Sequence, residues 1–154
     1  MSTENSQQKL TEYVTAMIGG QLFGLPIVHV QDVFMPERLT RVPLAPPEIA
    51  GVLNLRGRIV TLIDLRCRFG LGQREDGNAS MAIGVEARGE SYGLLIDSVG
   101  EVLKLDAAAR EPNPINLDQR LACVSAGIHR LDGQLLIVVD VDRVLDIGAK
   151  AAAA

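Results

Sequence analysis

The chain has 154 residues, of which 47% are hydrophobic and only 3% aromatic, with no tryptophan and a formal net charge of −4. That length suits one ordinary domain or two small barrels sharing a core. A core short of aromatics must be built from Val, Ile, Leu and Ala, which favours strands where β-branched residues gather. The acidic balance excludes a general binder of phosphate backbones, which needs a basic face to displace counterions, so nucleic acid is not an expected partner.

No apolar run approaches the roughly 20 residues that span a bilayer. The opening MSTENSQQKL lacks the basic-then-apolar order of a secretory signal. A cytoplasmic protein without direct membrane insertion is expected.

In chain order, residues 1–11 are polar and aperiodic and read as a flexible N-terminal segment. Tyr13–Ile18 predicts a first strand, Gly19-Gly20 a turn and Gln21–Ile27 a second strand. Pro26 opens a tight turn through Val28 and His29. Val30–Met35 then alternates Val30, Asp32 and Phe34 with Gln31, Val33 and Met35, as an extended chain does. Leu39–Leu44 predicts a further short extended piece, and Pro47 a single helical turn through Glu48-Ile49-Ala50.

Arg58–Leu65 is short, β-branched and bounded by glycines, and reads as a buried strand. Just before it, Asn54-Leu55-Arg56-Gly57 marks a chain reversal that needs positive φ at Gly57. Residues 72–80, GQREDGNAS, are the least apolar internal segment and the expected boundary loop.

Beyond that loop the pattern restarts. Gly89–Leu103 lies over Gly20–Phe34 with a shift of 69, and Ala126–Leu145 over Ala50–Phe69 with a shift of 76. The matches include Gly51 with Gly127, Gly57 with Gly133, Asp64 with Asp140, Val30 with Val99 and Val33 with Val102. Two copies of about 65 residues, each too small to bury much core unaided, predict two similar units joined along an apolar seam. The repeat leaves open whether each unit uses only its own strands or exchanges some with its twin. The extra residues of the second copy fall within Leu105–Ser125, read as a surface loop with a helical turn at Asp106–Arg110. Arg143–Ile147 predicts a short helix, and residues 148–154 an Ala-rich flexible tail.

Catalytic groups do not cluster. His29 and His129 sit in different copies without metal-ligand spacing, and read as structural or surface residues. Asp64 and Asp140 occupy matched strand ends, where a carboxylate accepting backbone N–H bonds needs no chemistry. Cys67 and Cys123 are far apart and outside any CxxC, and are expected as packed thiols in a reducing compartment. The glycines follow no phosphate-cradling pattern. No catalytic residue, cofactor or metal is expected. A small hydrolase or ligand-binding barrel would need Asp64, Asp140 and a histidine in one deep pocket.

Arg56 has two readings, pinning its own turn or presenting planar donors to a partner, with Asp32 as its plausible internal mate. Val30 and Val33 have opposite parity, so one faces the seam when the other faces outward. Val99 and Val102 repeat the pair, giving two related apolar edges open to pairing.

The segments Asn54-Leu55-Arg56-Gly57 and Asp64-Leu65-Arg66 resemble the NLRG and DLR signature of CheW-like domains. Val30-Gln31-Asp32-Val33 resembles that family's VQE segment, and Arg41-Val42-Pro43 with Ala45-Pro46 its approach to the first of these. The likeness runs from about Tyr13 to Leu145; Thr61 stands where the family often has proline, and Leu44 and Glu48 also depart from the common pattern. The resemblance implies an all-β fold of two SH3-like five-stranded barrels in tandem within residues 12–147. It also implies a non-catalytic adaptor joining chemoreceptor cytoplasmic tips to the regulatory domain of the histidine kinase CheA, recruited through its partners to membrane-associated arrays. By the same resemblance Val30, Asp32, Val33, Asn54, Arg56, Val99 and Val102 are the receptor-side candidates, the valines packing and Arg56 setting orientation. The alternative is an interaction module of another two-component pathway, built on the same barrels.

Overall fold

The computed structural model describes residues 10–37, 39–71 and 81–146. In chain order these form β1 (Leu10–Ile18), β2 (Gln21–Pro26), a 3-10 turn (Ile27–His29), β3 (Val30–Phe34), β4 (Ile49–Leu55), β5 (Arg58–Asp64) and α1 (Leu65–Phe69). The second half contributes β6 (Met81–Ala87), β7 (Glu90–Ile96), β8 (Ser98–Asp106), a 3-10 turn (Ala107–Ala109), α2 (Gln119–Val124), β9 (Ser125–Leu131), β10 (Gln134–Val139) and α3 (Val141–Val144). The strands make two five-stranded sheets, ordered β8-β1-β2-β10-β9 (barrel I) and β3-β6-β7-β5-β4 (barrel II).

The question that the repeat left open is answered by reciprocal exchange. Hairpin β1–β2 completes barrel I beside β8 and β10 of the second copy, and hairpin β6–β7 completes barrel II beside β3 and β5 of the first. Each inserted hairpin makes one antiparallel junction (β1 with β8, β6 with β3) and one parallel junction (β2 with β10, β7 with β5). Neither copy finishes a barrel from its own strands.

The exchange places the main core between the barrels. Ile18, Phe23 and Leu25 of barrel I share one buried cluster with Ile63, Ile83 and Leu94 of barrel II, and with Leu65, Phe69, Val124 and Val144 of the helices. Phe23 stacks on Phe69 with ring centroids 4.9 Å apart. The barrel interiors hold smaller clusters, Tyr13, Leu136 and Val138 in one and Leu53, Val60, Leu62, Ala82 and Leu95 in the other. The predicted apolar seam is therefore the larger hydrophobic reservoir, and burial there holds the halves as one body.

Among the described residues, one isolated backbone bridge in each barrel joins the segment after one edge strand to the opposite edge strand. Thr40 exchanges two 2.8 Å bonds with Val52 in barrel II, and Glu111 pairs likewise with Ile128 at 2.8 and 2.9 Å in barrel I. The repeat-matched Gly51 (φ 154°) and Gly127 (φ 133°) lie next to these bridges. A Cβ on Gly51 would run into the Thr40 carbonyl oxygen, and one on Gly127 would lie 2.8 Å from that of Glu111. Both positions need a residue without a side chain.

Several expectations are corrected. The first strand starts at Leu10. No helical turn forms over Glu48-Ile49-Ala50: the Ile49 N–H closes a turn on Pro46 O at 2.9 Å and β4 begins at once, because ladder pairing with β5 satisfies more backbone groups than an isolated turn. The extended piece Leu39–Leu44 contracts to the Thr40 bridge, with Pro43 and Leu44 in a turn. The stretch Leu105–Ser125, read as loop, contains α2, while its expected helical turn forms at Ala107–Ala109 with the Asp106 carboxylate accepting the Ala108 N–H at 2.9 Å. The last helix starts at Val141, two residues before Arg143. The expected boundary loop 72–80 and tail 148–154 lie outside the described residues, as does most of the expected N-terminal segment.

Candidate protein-binding site

The β4–β5 hairpin pairs Leu55 with Arg58, leaving Arg56-Gly57 as a two-residue loop. Such a loop matches the twist of its strands when both residues take positive φ. Arg56 has φ 55° and Gly57 φ 83°. The sequence assigned this requirement to Gly57 alone. Arg88-Gly89 adopts the same pair of angles signs at the β6–β7 turn, so the geometry belongs to the hairpin rather than to one strained residue. Asn54 Oδ1 accepts the Gly57 N–H at 2.9 Å and fixes the loop.

The turn projects Arg56 outward, with its side chain 80% exposed, and its Nη1 lies 3.8 Å from Asp32 Oδ2. Asp32 stands on β3 opposite Gly84 of β6, where a Cβ would collide with its Oδ1. Absence of a side chain at Gly84 thus makes room for the carboxylate. A pair this long and this exposed contributes about 0 to 1 kcal/mol to folding. The contact leaves the guanidinium's donors open to solvent.

Beside the pair is a pocket of about 230 Å³ whose lining includes Asp32, Arg56, Arg58, Ser91 and Tyr92. Arg58 Nη1 lies 3.9 Å from Glu86 and 3.4 Å from Ser91 Oγ, and the Tyr92 hydroxyl donates to Glu90 at 2.8 Å. Burial, reinforced by that carboxylate, raises the Tyr92 pKa, so its hydroxyl stays protonated. A wider hollow of about 610 Å³ shares Phe34 and Leu55 with this pocket and is lined also by Met35, Leu53, Asn54 and Ile59. A polar corner therefore opens beside an apolar mouth, the combination of anchor and rim that a protein partner uses.

Asp32, Asn54 and Arg56 come together as the sequence proposed. Val30 and Val33 obey opposite parity: Val30 packs against the shared core and Val33 is exposed. Val99 and Val102 are exposed on β8, opposite Ala16 and Val14 of β1, and belong to the other barrel. Met35 and Ile59, exposed around the hollow, were not among the sequence candidates, although Ile59 alternates with the buried Val60 and Leu62 along β5.

The competing chemistry does not assemble. Asp64 caps α1 by accepting the Arg66 N–H at 3.0 Å, and Asp140 caps α3 by accepting the Arg143 N–H at 3.3 Å, the structural role expected of them. His129 is buried inside barrel I, edge-on to Tyr13 at 5.7 Å, and His29 is exposed. Among the described residues no three His, Cys, Asp or Glu are grouped to hold a metal. Cys67 and Cys123 are free and exposed, not packed as expected, because each lies on the outer face of its short helix while Leu65, Phe69, Leu121 and Val124 take the seam. Partial burial and the nearby Glu48 and Asp64 carboxylates raise the Cys67 pKa, which keeps it a thiol of low reactivity. No helix among the described residues is long and apolar enough to cross a membrane.

Comparison with known proteins agrees with this fold. The family model for the CheW-like domain matches residues 12–148. The chemotaxis protein CheW of Klebsiella aerogenes is 32% identical over 135 residues, covering 87% of this chain and 81% of that protein. Its counterpart in Helicobacter pylori is 26% identical over 144 residues, covering 94% and 87%. The crystal structure of the scaffolding protein TtCheW from Thermoanaerobacter tengcongensis is 33% identical and superposes with a TM-score of 0.76 over 85% of this chain and 84% of that one.

Proposed function

The chain belongs to the CheW-like family of chemotaxis adaptors, and from that premise we propose that it couples the cytoplasmic tip of a chemoreceptor to the regulatory domain of the kinase CheA. The observation that carries this reading is the exposed Arg56–Asp32 corner, set on a capped hairpin turn and opening beside an apolar hollow. A doubly exchanged body with one shared core supports it, because an adaptor must hold its contacts in fixed relation to transmit a bias between kinase states.

In this mechanism no covalent step occurs. The receptor helix lays apolar side chains against the exposed valines of β3 and β8, and Arg56 reads its orientation by exchanging a loose internal partner for one on the helix. The kinase domain meets apolar residues at a barrel end. A specific interface of ordinary size covers about 800 Å² on each partner. Recruitment to membrane-associated arrays follows from the receptor contact.

Pull-down of the folded protein with a receptor tip and with the kinase regulatory domain, each at micromolar concentration, tests the assignment. Capture of both is expected. Capture of neither removes it and leaves an interaction module serving other partners.

A further inference from the structure

Apolar packing joins the barrels, but a polar contact meets it at one side. Asp97 is the residue between β7 and β8, where the chain passes from barrel II to barrel I. Its N–H donates to Met17 O at 3.0 Å. Its carboxylate accepts from Arg66 Nε at 2.9 Å, from Arg66 Nη2 at 2.8 Å and from the Gly19 N–H at 2.9 Å. Helix α1 of one barrel, the root of β8 and the β1–β2 turn of the other therefore converge on one carboxylate. A guanidinium gripping both oxygens fixes direction as well as distance. Both side chains are largely buried, which limits screening by salt.

The matched places in the other half carry nothing of the kind. The repeat puts Val28 where Asp97 stands, Asp142 where Arg66 stands and Arg88 where Gly19 stands. Val28 is 84% exposed. The helix caps and the bridge glycines are doubled, yet this contact is not, so the fold itself does not require it.

We propose that Arg66 and Asp97 form a one-sided clasp that fixes the root of β8 against barrel II, and thereby positions Val99 and Val102 relative to Asp32 and Val33 on β3. The proposal rests on the docking reading above, and accounts for how residues divided between two barrels act as one surface. Both are positioning residues. The Asp64-Leu65-Arg66 segment then supplies a helix cap, a seam residue and the clasp in three consecutive positions.

Residual dipolar couplings of the full chain, with receptor-tip affinity measured on the same samples, test it. In the parent protein one alignment tensor fits both barrels. Arg66→Ala is expected to shift the couplings of Ser98–Val102 out of that fit and to weaken tip binding at least fivefold, with Arg66→Lys, which keeps the charge but not the fork, intermediate. Asp97→Asn keeps the shape and the Gly19 bond, so it is the variant to read if Arg66→Ala does not fold, and a smaller change in the same direction is expected. Unchanged couplings in the folded variants overturn the clasp. Shifted couplings with parental tip affinity overturn its positioning role. Shifted couplings in a protein whose parent binds no tip leave the clasp standing and bring down the docking reading instead.

Discussion

Barrels I and II descend from one sequence pattern, and the positions at which they agree differ in kind from those at which they part. Gly51 and Gly127 both admit a bridging backbone, and Asp64 and Asp140 both cap a helix. Where barrel II carries Asp32, Asn54 and Arg56, barrel I carries Glu101, Arg130 and Asp132. The pair at the mouth of barrel II thus becomes two acids at the matched places, and Arg130 turns instead to Glu111, 2.9 Å away. Matched residues serve closure and capping, while the charged corner is unmatched, so neither of those two tasks accounts for it. Val33 and Val102 are the instructive exception: they are matched yet exposed, so core packing does not account for them.

The comparison breaks first at the glycines. Gly127→Ala must place a Cβ against the Glu111 carbonyl at a φ that side chains resist, and a loss of about 3 kcal/mol is expected by urea denaturation. Gly51→Ala should cost as much in the other barrel. A loss below about 1 kcal/mol at either would show that the bridge yields and does not close its barrel.

At the turns the barrels should separate. Arg56→Glu is expected to weaken receptor-tip binding at least tenfold, about 1.4 kcal/mol, with stability changed by less than about 0.5 kcal/mol. Asp132→Lys, at the matched exposed turn of barrel I, should leave both unchanged. Changes of equal size and opposite sign, a loss from the first substitution and a gain from the second, would mean that net charge, not the corner, drives binding.

How much of this was legible in the sequence follows from the range of each interaction. The hairpin turns, the alternation of β3 and the capping aspartates rest on local spacing or on a repeated pattern and could be read, whereas the Arg56–Asp32 pairing, neither local nor repeated, was read from opposite charge. Helices α1 and α2 could not, since five or six residues carry too little periodicity, and their stability comes from Leu65, Phe69, Leu121 and Val124 meeting the seam. The hairpin exchange was equally hidden, because two barrels with and without it have the same repeat. Arg66 and Asp97, 31 positions apart, meet only once the exchange is known.

The smallest expected effect concerns the barrel interiors, where His129 of barrel I holds the place of Leu53 in barrel II. His129 is 3% exposed, and its Nε2 finds no hydrogen-bond partner among the described residues. Burial, aided by the Arg110 charge and opposed by Asp106 and Glu111, holds its pKa below the usual 6.5. The unfolded chain then binds a proton, as pH falls through that value, which the folded barrel refuses. Stability from this source is therefore full above pH 6.5 and declines on the acid side until the folded pKa is passed. His129→Leu, which installs the residue of the twin barrel, should keep the neutral-pH melting temperature within a few degrees and shrink its fall between about pH 7.5 and 5.5. An unchanged acid-side fall would place that sensitivity in the carboxylates shared by both barrels and not in this imidazole.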